Sequence, residues 1–217
     1  MPNASLAIIG TAGRGSDKDK LSADHYKRMV KVSTKLIDHL GFNKKELRVF
    51  SGGAAWADHV VVTLGLEGVV APENVTLYLP CEYDERGFLG YGDKAAKTAS
   101  TANYYHSVFS KIIGQNSFGQ ILEVARRGAA VFPGNGNFFT RNTLVAQSVS
   151  PDGVLLAFTF GQEGTDQKPW TLRPADRNAM GREGGVKDGG SADTWGKAKC
   201  LKYHGLLGSI NEQLKLI

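Results

Sequence analysis

Three short runs carry residue types suited to holding an anion: Gly10-Thr11-Ala12-Gly13-Arg14-Gly15, Ser51-Gly52-Gly53-Ala54-Ala55-Trp56-Ala57-Asp58, and Gly189-Gly190-Ser191-Ala192-Asp193-Thr194. Each places small residues where an apolar stretch ends or a helix begins. Glycine lets the backbone come close to a ligand, and amide N–H groups at a helix N-terminus favour negative charge. Ser51 adds a hydroxyl to the second run, and Arg14 adds to the first a forked donor set that matches phosphate. Asp58 is placed either to hold a sugar hydroxyl or to cap and pair locally. Trp56 reads as core. The chemistry these runs support is capture of a nucleotide or nucleotide-derived small molecule.

Residues for bond-breaking are harder to find. Glu82 and Glu85 follow a strand end and are the nearest carboxylates for acid–base work. Arg141 beside Asn142 is a polar pair on an amphipathic segment, where it either meets a ligand or is solvated. The five histidines have no Ser or Cys partner in a recognisable motif, so no triad is supported. Cys81 and Cys200 stand alone, without a CxxC pair or metal-ligand spacing, which suits a reducing cytoplasm and argues against a metal site.

The elements that must position these residues follow from hydrophobic patterning. Leu6-Ala7-Ile8-Ile9 reads as a first buried strand, and Ser22 caps a helix from Ala23 to Leu40 that Gly41 ends. Arg48-Val49-Phe50, a helical run from Trp56 to Leu66, and Val75 to Pro80 continue the pattern. Strand and helix alternate as in a Rossmann-like α/β fold, a mostly parallel sheet with helices on both faces. Ligands of such sheets bind at the carboxyl edge.

Residues 82–93 are polar and Gly-rich. The spacing then predicts helices over 95–113, 117–127 and 138–148, a late strand over 153–158, and a final helix over 192–201. Residues 161–190 form a long inserted loop in a single domain spanning 1–217, either a lid carrying Trp170, Arg173, Arg177 and Arg182 or a disordered insertion.

In chain order, Gly10-Thr11-Ala12-Gly13-Arg14, Ser51-Gly52-Gly53 with Ala57-Asp58, Arg141-Asn142, Asp152 to Phe158 and Gly189-Gly190-Ser191 resemble the SLOG superfamily. These are Rossmann-like domains that bind nucleotides and their derivatives, and they include the Lonely Guy type nucleoside monophosphate phosphoribohydrolases. The resemblance spans most of the chain except residues 82–130 and the loop after Phe160. In the phosphoribohydrolases an Arg-Lys pair precedes the late strand, and a Pro-Gly-Gly-x-Gly-Thr-x-x-Glu loop follows it, with the Arg and Glu regarded as catalytic.

The resemblance puts Arg141 at the position of that Arg, with Asn142 in place of Lys. It puts Thr194 near the position of the Glu, with Asp193 one place earlier. Gly161-Gln162-Glu163-Gly164-Thr165 offers an alternative register for the glycine loop.

The resemblance implies ligand contacts from the three glycine runs and from Arg141-Asn142. It leaves Arg141, Glu82 and Asp193 as catalytic candidates for N-glycoside hydrolysis, the alternative to a sensing or sequestering protein. Homo-oligomerisation is expected from the family habit of pairing through helices and from the hydrophobic segment Leu206 to Ile217. No cofactor is expected. The net charge of +5 is scattered among 21 acidic residues rather than gathered in a basic arm, so nucleic acid is a disfavoured partner. No run is apolar for long enough to span a bilayer, and a soluble, cytoplasmic protein is expected.

Overall fold

The computed structural model describes residues 4–134, 136–161 and 190–213. Six parallel strands form one sheet in the order β6-β3-β2-β1-β7-β8. They are β1 (Ser5–Gly10), β2 (Arg48–Ser51), β3 (Val75–Leu79), β6 (Ala130–Pro133), β7 (Val154–Thr159) and β8 (Leu201–Leu206). The sheet with its helical layers is the expected Rossmann-like α/β architecture.

Both faces of β1 and β7 are covered, which is why Leu6-Ala7-Ile8-Ile9 and Val154 to Phe158 are apolar without alternation. Leu6, Ile8, Leu156 and Phe158 turn to the face covered by α1 (Ala23–His39), α2 (Val60–Leu66) and α4 (Ser117–Arg126). Ala7, Ile9, Leu155 and Ala157 turn to the other, where α5 (Phe138–Ser148) packs Val145, Ala146 and Val149, and α6 (Gly190–Lys197) packs Trp195. Ser22 caps α1 by accepting the His25 amide, as its position predicts.

Between β3 and β6 the chain forms a small antiparallel hairpin, β4 (Glu82–Asp84) and β5 (Gly87–Leu89), and then α3 (Asp93–Ile113). Asn103 of α3 holds the hairpin by exchanging two hydrogen bonds of 2.9 Å with the Phe88 backbone.

Three expectations need correction. The helical run from Trp56 begins as a helix only at Val60, because Trp56 takes a left-handed conformation, φ 66°, that places its indole in the core against Phe109. The final helix stops at Lys197, and Leu201 opens β8, a sixth strand parallel to β7. Leu206, Leu207 and Ile210, expected at an assembly surface, are buried within the chain, with Leu207 and Ile210 in the same core as α1. Their apolarity serves the monomer core. No helix among the described residues is long and apolar enough to cross a membrane.

Candidate functional site

A cleft of about 280 Å³ opens at the carboxyl edge of the sheet, where β1 and β7 lie side by side and the helices α1 and α6 cover opposite faces. Gly10, Thr11, Arg14, Gly52, Asp58, Arg141, Asn142, Gly190, Ser191 and Thr194 line it, so ten of the residues singled out by sequence converge from four separate segments. Gly189 and the lid residues Trp170, Arg173, Arg177 and Arg182 lie outside the described residues, as do Gln162 to Thr165 of the alternative register.

The segments meet through specific contacts. The Thr11 amide donates to the Phe158 carbonyl at 2.8 Å, extending the β1–β7 pairing by one step. A Cβ on Gly10 would stand 2.0 Å from that carbonyl oxygen and 2.7 Å from the Ala57 Cβ, so only glycine fits where β1, β7 and the β2–α2 turn touch. Ser191 Oγ donates to the Gly10 carbonyl at 2.8 Å, which ties the start of α6 to the end of β1. Thr11 Oγ1 donates to Asp17 Oδ2 at 2.7 Å and accepts the Gly13 amide at 3.1 Å. Gly13 itself packs on the Trp56 indole and does not line the cleft.

The Ser-Gly-Gly turn is built differently from the expected amide cradle. Its N–H groups are engaged inside the protein: Gly52 donates to Asp58 Oδ2 at 3.1 Å, Ala54 to the same oxygen at 3.5 Å, and Gly53 to Ser51 Oγ at 3.2 Å. Ser51 is fully buried and lines neither cavity, while Gly53 borders only the small second cavity described below. Asp58 therefore staples the turn, the second of the two roles its position allowed. Burial pushes its carboxyl above the usual carboxylate range, with Arg141 beside it and the amides of Ala54, Gly52 and Gly10 pulling the other way.

Arg141 reaches the cleft from the first turn of α5. Its Nη1 donates to the Gly52 carbonyl at 3.3 Å and its Nη2 to Asn142 Oδ1 at 3.1 Å, while its buried Nε has no hydrogen-bond partner among the described residues. Burial lowers its pKa, Asp58 raises it and Arg14 lowers it. The guanidinium and the Asp58 carboxylate both enter the space that a side chain at Gly52 would fill, at 2.6 Å and 2.8 Å from the missing Cβ. Arg14 approaches the same ring as Arg141, and the two guanidinium carbons lie 4.9 Å and 5.3 Å from the Phe138 ring centre. Arg14 has no carboxylate partner among the described residues.

Of the three catalytic candidates, the structure brings only Arg141 to the cleft. Glu82 is exposed on the β4–β5 hairpin and does not line the cleft, nor does Glu85, which faces Arg126 at 4.0 Å. Asp193 accepts from Asn142 Nδ2 at 3.3 Å and from Lys197 Nζ at 2.8 Å, a polar clamp between α5 and α6 outside the cleft lining. The Thr194 hydroxyl donates back to the Gly190 carbonyl at 3.0 Å.

Sequence reading missed Asp17, Phe138, Phe139, Thr159 and the support given by His106. Phe138-Phe139 lies within one helical turn of Arg141, a spacing that would have marked it. His106, on α3, has no sequence signal. Its Nε2 donates to the Gly53 carbonyl at 3.0 Å and its Nδ1 accepts from Ser117 Oγ at 3.0 Å, which fixes the turn from behind. Burial keeps both His106 and its neighbour His59 neutral, with pKa values pushed down to about 3 and about 4.

No family model matches the chain, and no solved structure matches it. It is 34% identical over 196 residues to an uncharacterized protein of Acanthamoeba polyphaga mimivirus, across 89% of this chain and 90% of that protein.

Proposed function

The chain belongs to one family with that uncharacterized mimivirus protein, and from its cleft we propose that it binds a nucleotide or nucleotide-derived small molecule through the ligand's phosphate. The observation that carries this reading is the meeting of Arg14 and Arg141 across Phe138: two like charges are held near one another, and among the described residues the buried Nε of one has no partner and the other has no carboxylate partner. Holding two cations together costs free energy unless an anion joins them, and a phosphate accepts from both forks at once. The start of α6, an eight-residue helix, borders the same space and adds its dipole. The order of glycine runs shared with the SLOG superfamily supports the same ligand class.

Binding without cleavage is the proposed activity. N-glycoside hydrolysis needs a carboxylate free to act near the anomeric carbon. Among the described residues the cleft's carboxylates are Asp17 and Asp58, which accept hydrogen bonds from Thr11 and from the Ser-Gly-Gly turn. Threonine stands near the family's glutamate position. A sensor or sequestering protein needs only the cradle.

The test is mass spectrometry of small molecules released by denaturing the purified protein, followed by calorimetric titration with nucleoside monophosphates. The expected result is a phosphorylated ligand whose affinity falls about tenfold or more in Arg14→Ala, the loss of one charge-assisted contact. Recovery of an uncharged ligand, or unchanged affinity in that variant, would overturn the reading.

A further inference from the structure

We propose that Tyr105 and Phe138 form a stacking slot for the nucleobase, and that the Arg14 guanidinium, which lies on both rings, gives way to the base. The inference rests on the phosphate reading above and goes beyond it, because it assigns the other end of the ligand to α3, in the part of the chain outside the SLOG resemblance.

Arg14 Cζ lies 5.5 Å from the Tyr105 ring centre and 4.9 Å from that of Phe138, so one flat cation contacts two aromatic rings. Behind it a second cavity of about 20 Å³ is lined by Ala12, Gly53, Phe88, Ala102 and His106. Away from the two arginines this recess is lined by uncharged groups, since both His106 nitrogens are engaged and burial keeps the ring neutral. The two cavities share Arg14, Phe138 and Arg141 as a common wall, so a group on the rings is adjacent to the phosphate site.

The chemistry this geometry selects is a flat, uncharged π system joined to an anion. A solvated cation gains little on aromatic faces, whereas a base gains stacking area and leaves part of its edge toward the recess. The recess holds about one water, so the base lies on the rings and does not enter it. Its arrival displaces Arg14 from the rings toward the cleft, where the guanidinium meets the phosphate. Base and phosphate recognition are thereby coupled through one side chain.

The experiment compares ribose 5-phosphate with AMP, GMP, CMP and UMP by calorimetry on the full chain, in wild type, Tyr105→Leu and Tyr105→Phe, with thermal melts of each. At least one nucleotide should bind wild type about tenfold or more tighter than ribose 5-phosphate. Tyr105→Leu should remove most of that difference while changing ribose 5-phosphate affinity less than about twofold, and Tyr105→Phe should retain it. If ribose 5-phosphate binds as tightly as every nucleotide, or if Tyr105→Leu melts like wild type and keeps the difference, the slot is refuted while the phosphate site stands. If none of the five probes binds wild type, the phosphate site itself fails and the slot falls with it.

Discussion

The two walls of the cleft are built on opposite terms. On the β2–α2 wall the Gly52, Gly53 and Ala54 amides all have partners within the protein, the Gly53 carbonyl is held by His106, and Asp58 binds two strands of backbone together. On the wall formed by Arg14, Phe138 and Arg141, charge is gathered without a carboxylate partner at ion-pair distance among the described residues. A wall whose polar groups are all engaged stabilises the fold. In the proposed reading the glycine turn holds the geometry and the arginines carry recognition.

The sharpest way to break this contrast is to disturb the satisfied wall. Gly10→Ala forces a Cβ into the Phe158 carbonyl, a backbone atom that cannot rotate away. It should cost at least about 3 kcal/mol in urea denaturation, or leave no folded protein to measure. A variant as stable as wild type would mean that the β1–β7 junction is looser than its contacts indicate.

Acid should weaken the same wall next. His59 and His106 have folded pKa values near 4 and 3, below the ordinary 6.5, so between those limits the unfolded chain binds more protons than the folded one. Stability is then full above about 6.5 and falls as pH drops toward 4, by roughly 2 kcal/mol for each ring between pH 7 and 5. Asp58 works in the opposite sense: its raised pKa means that folding favours the protonated carboxyl, and its contribution declines as pH rises. Denaturation at pH 7 and pH 5 should show the histidine trend, and His106→Asn should flatten the slope whatever its absolute stability. An unchanged slope would remove His106 from the account.

The arginines should separate affinity from stability. Arg14→Ala should leave urea stability within about 0.5 kcal/mol, because the side chain is exposed. Arg141→Ala should lower both nucleotide affinity and stability, by about 1–3 kcal/mol in the latter, because it leaves the Gly52 carbonyl and the Asp58 carboxyl without their buried neighbour. Equal stability losses in the two variants would erase the distinction between the walls. The smallest effect is expected from Glu82→Gln and Asp193→Asn, each keeping nucleotide affinity within about twofold. Release of free adenine from AMP at about 1 per second or faster would instead restore hydrolysis.

Most of the sheet was legible because β1 and β7 are buried on both faces and apolar over residues 6–9 and 154–158, β2 and β3 carry short runs of buried apolar residues, and α1 shows its cap and its periodic stripe. β6 and β8 were not, for a shared reason. As edge strands they carry mixed residues, such as the exposed Phe132 and the buried Lys202, that follow no simple alternation. The hairpin at 82–89 is held by a side chain fifteen residues away, Asn103, which local patterning cannot register.

At the cleft, residue types marked the segments that converge but not which of their groups are engaged within the protein. Ser-Gly-Gly marks a tight turn, but whether its amides face a ligand or an internal carboxylate depends on Asp58, whose orientation is set by tertiary contacts. Gly53→Val would place a side chain at φ 62° with its Cβ 2.3 Å from Leu79, so its first effect falls on stability.

The cleft draws on residues 10–17, 52–58, 138–145, 159 and 190–194, with Ser191 bonded to Gly10 across almost the whole described chain. No sub-fragment of the sheet contains it, so a ligand finds its site only after β1, β2 and β7 have docked with α5 and α6. Occupancy is then linked to global unfolding rather than to a local opening, and a ligand at a hundred times its dissociation constant should raise the unfolding free energy by about 2.7 kcal/mol. A thermal-shift screen of metabolites will therefore register any true ligand as a displacement of the entire melting curve, before its chemistry or its fate is known.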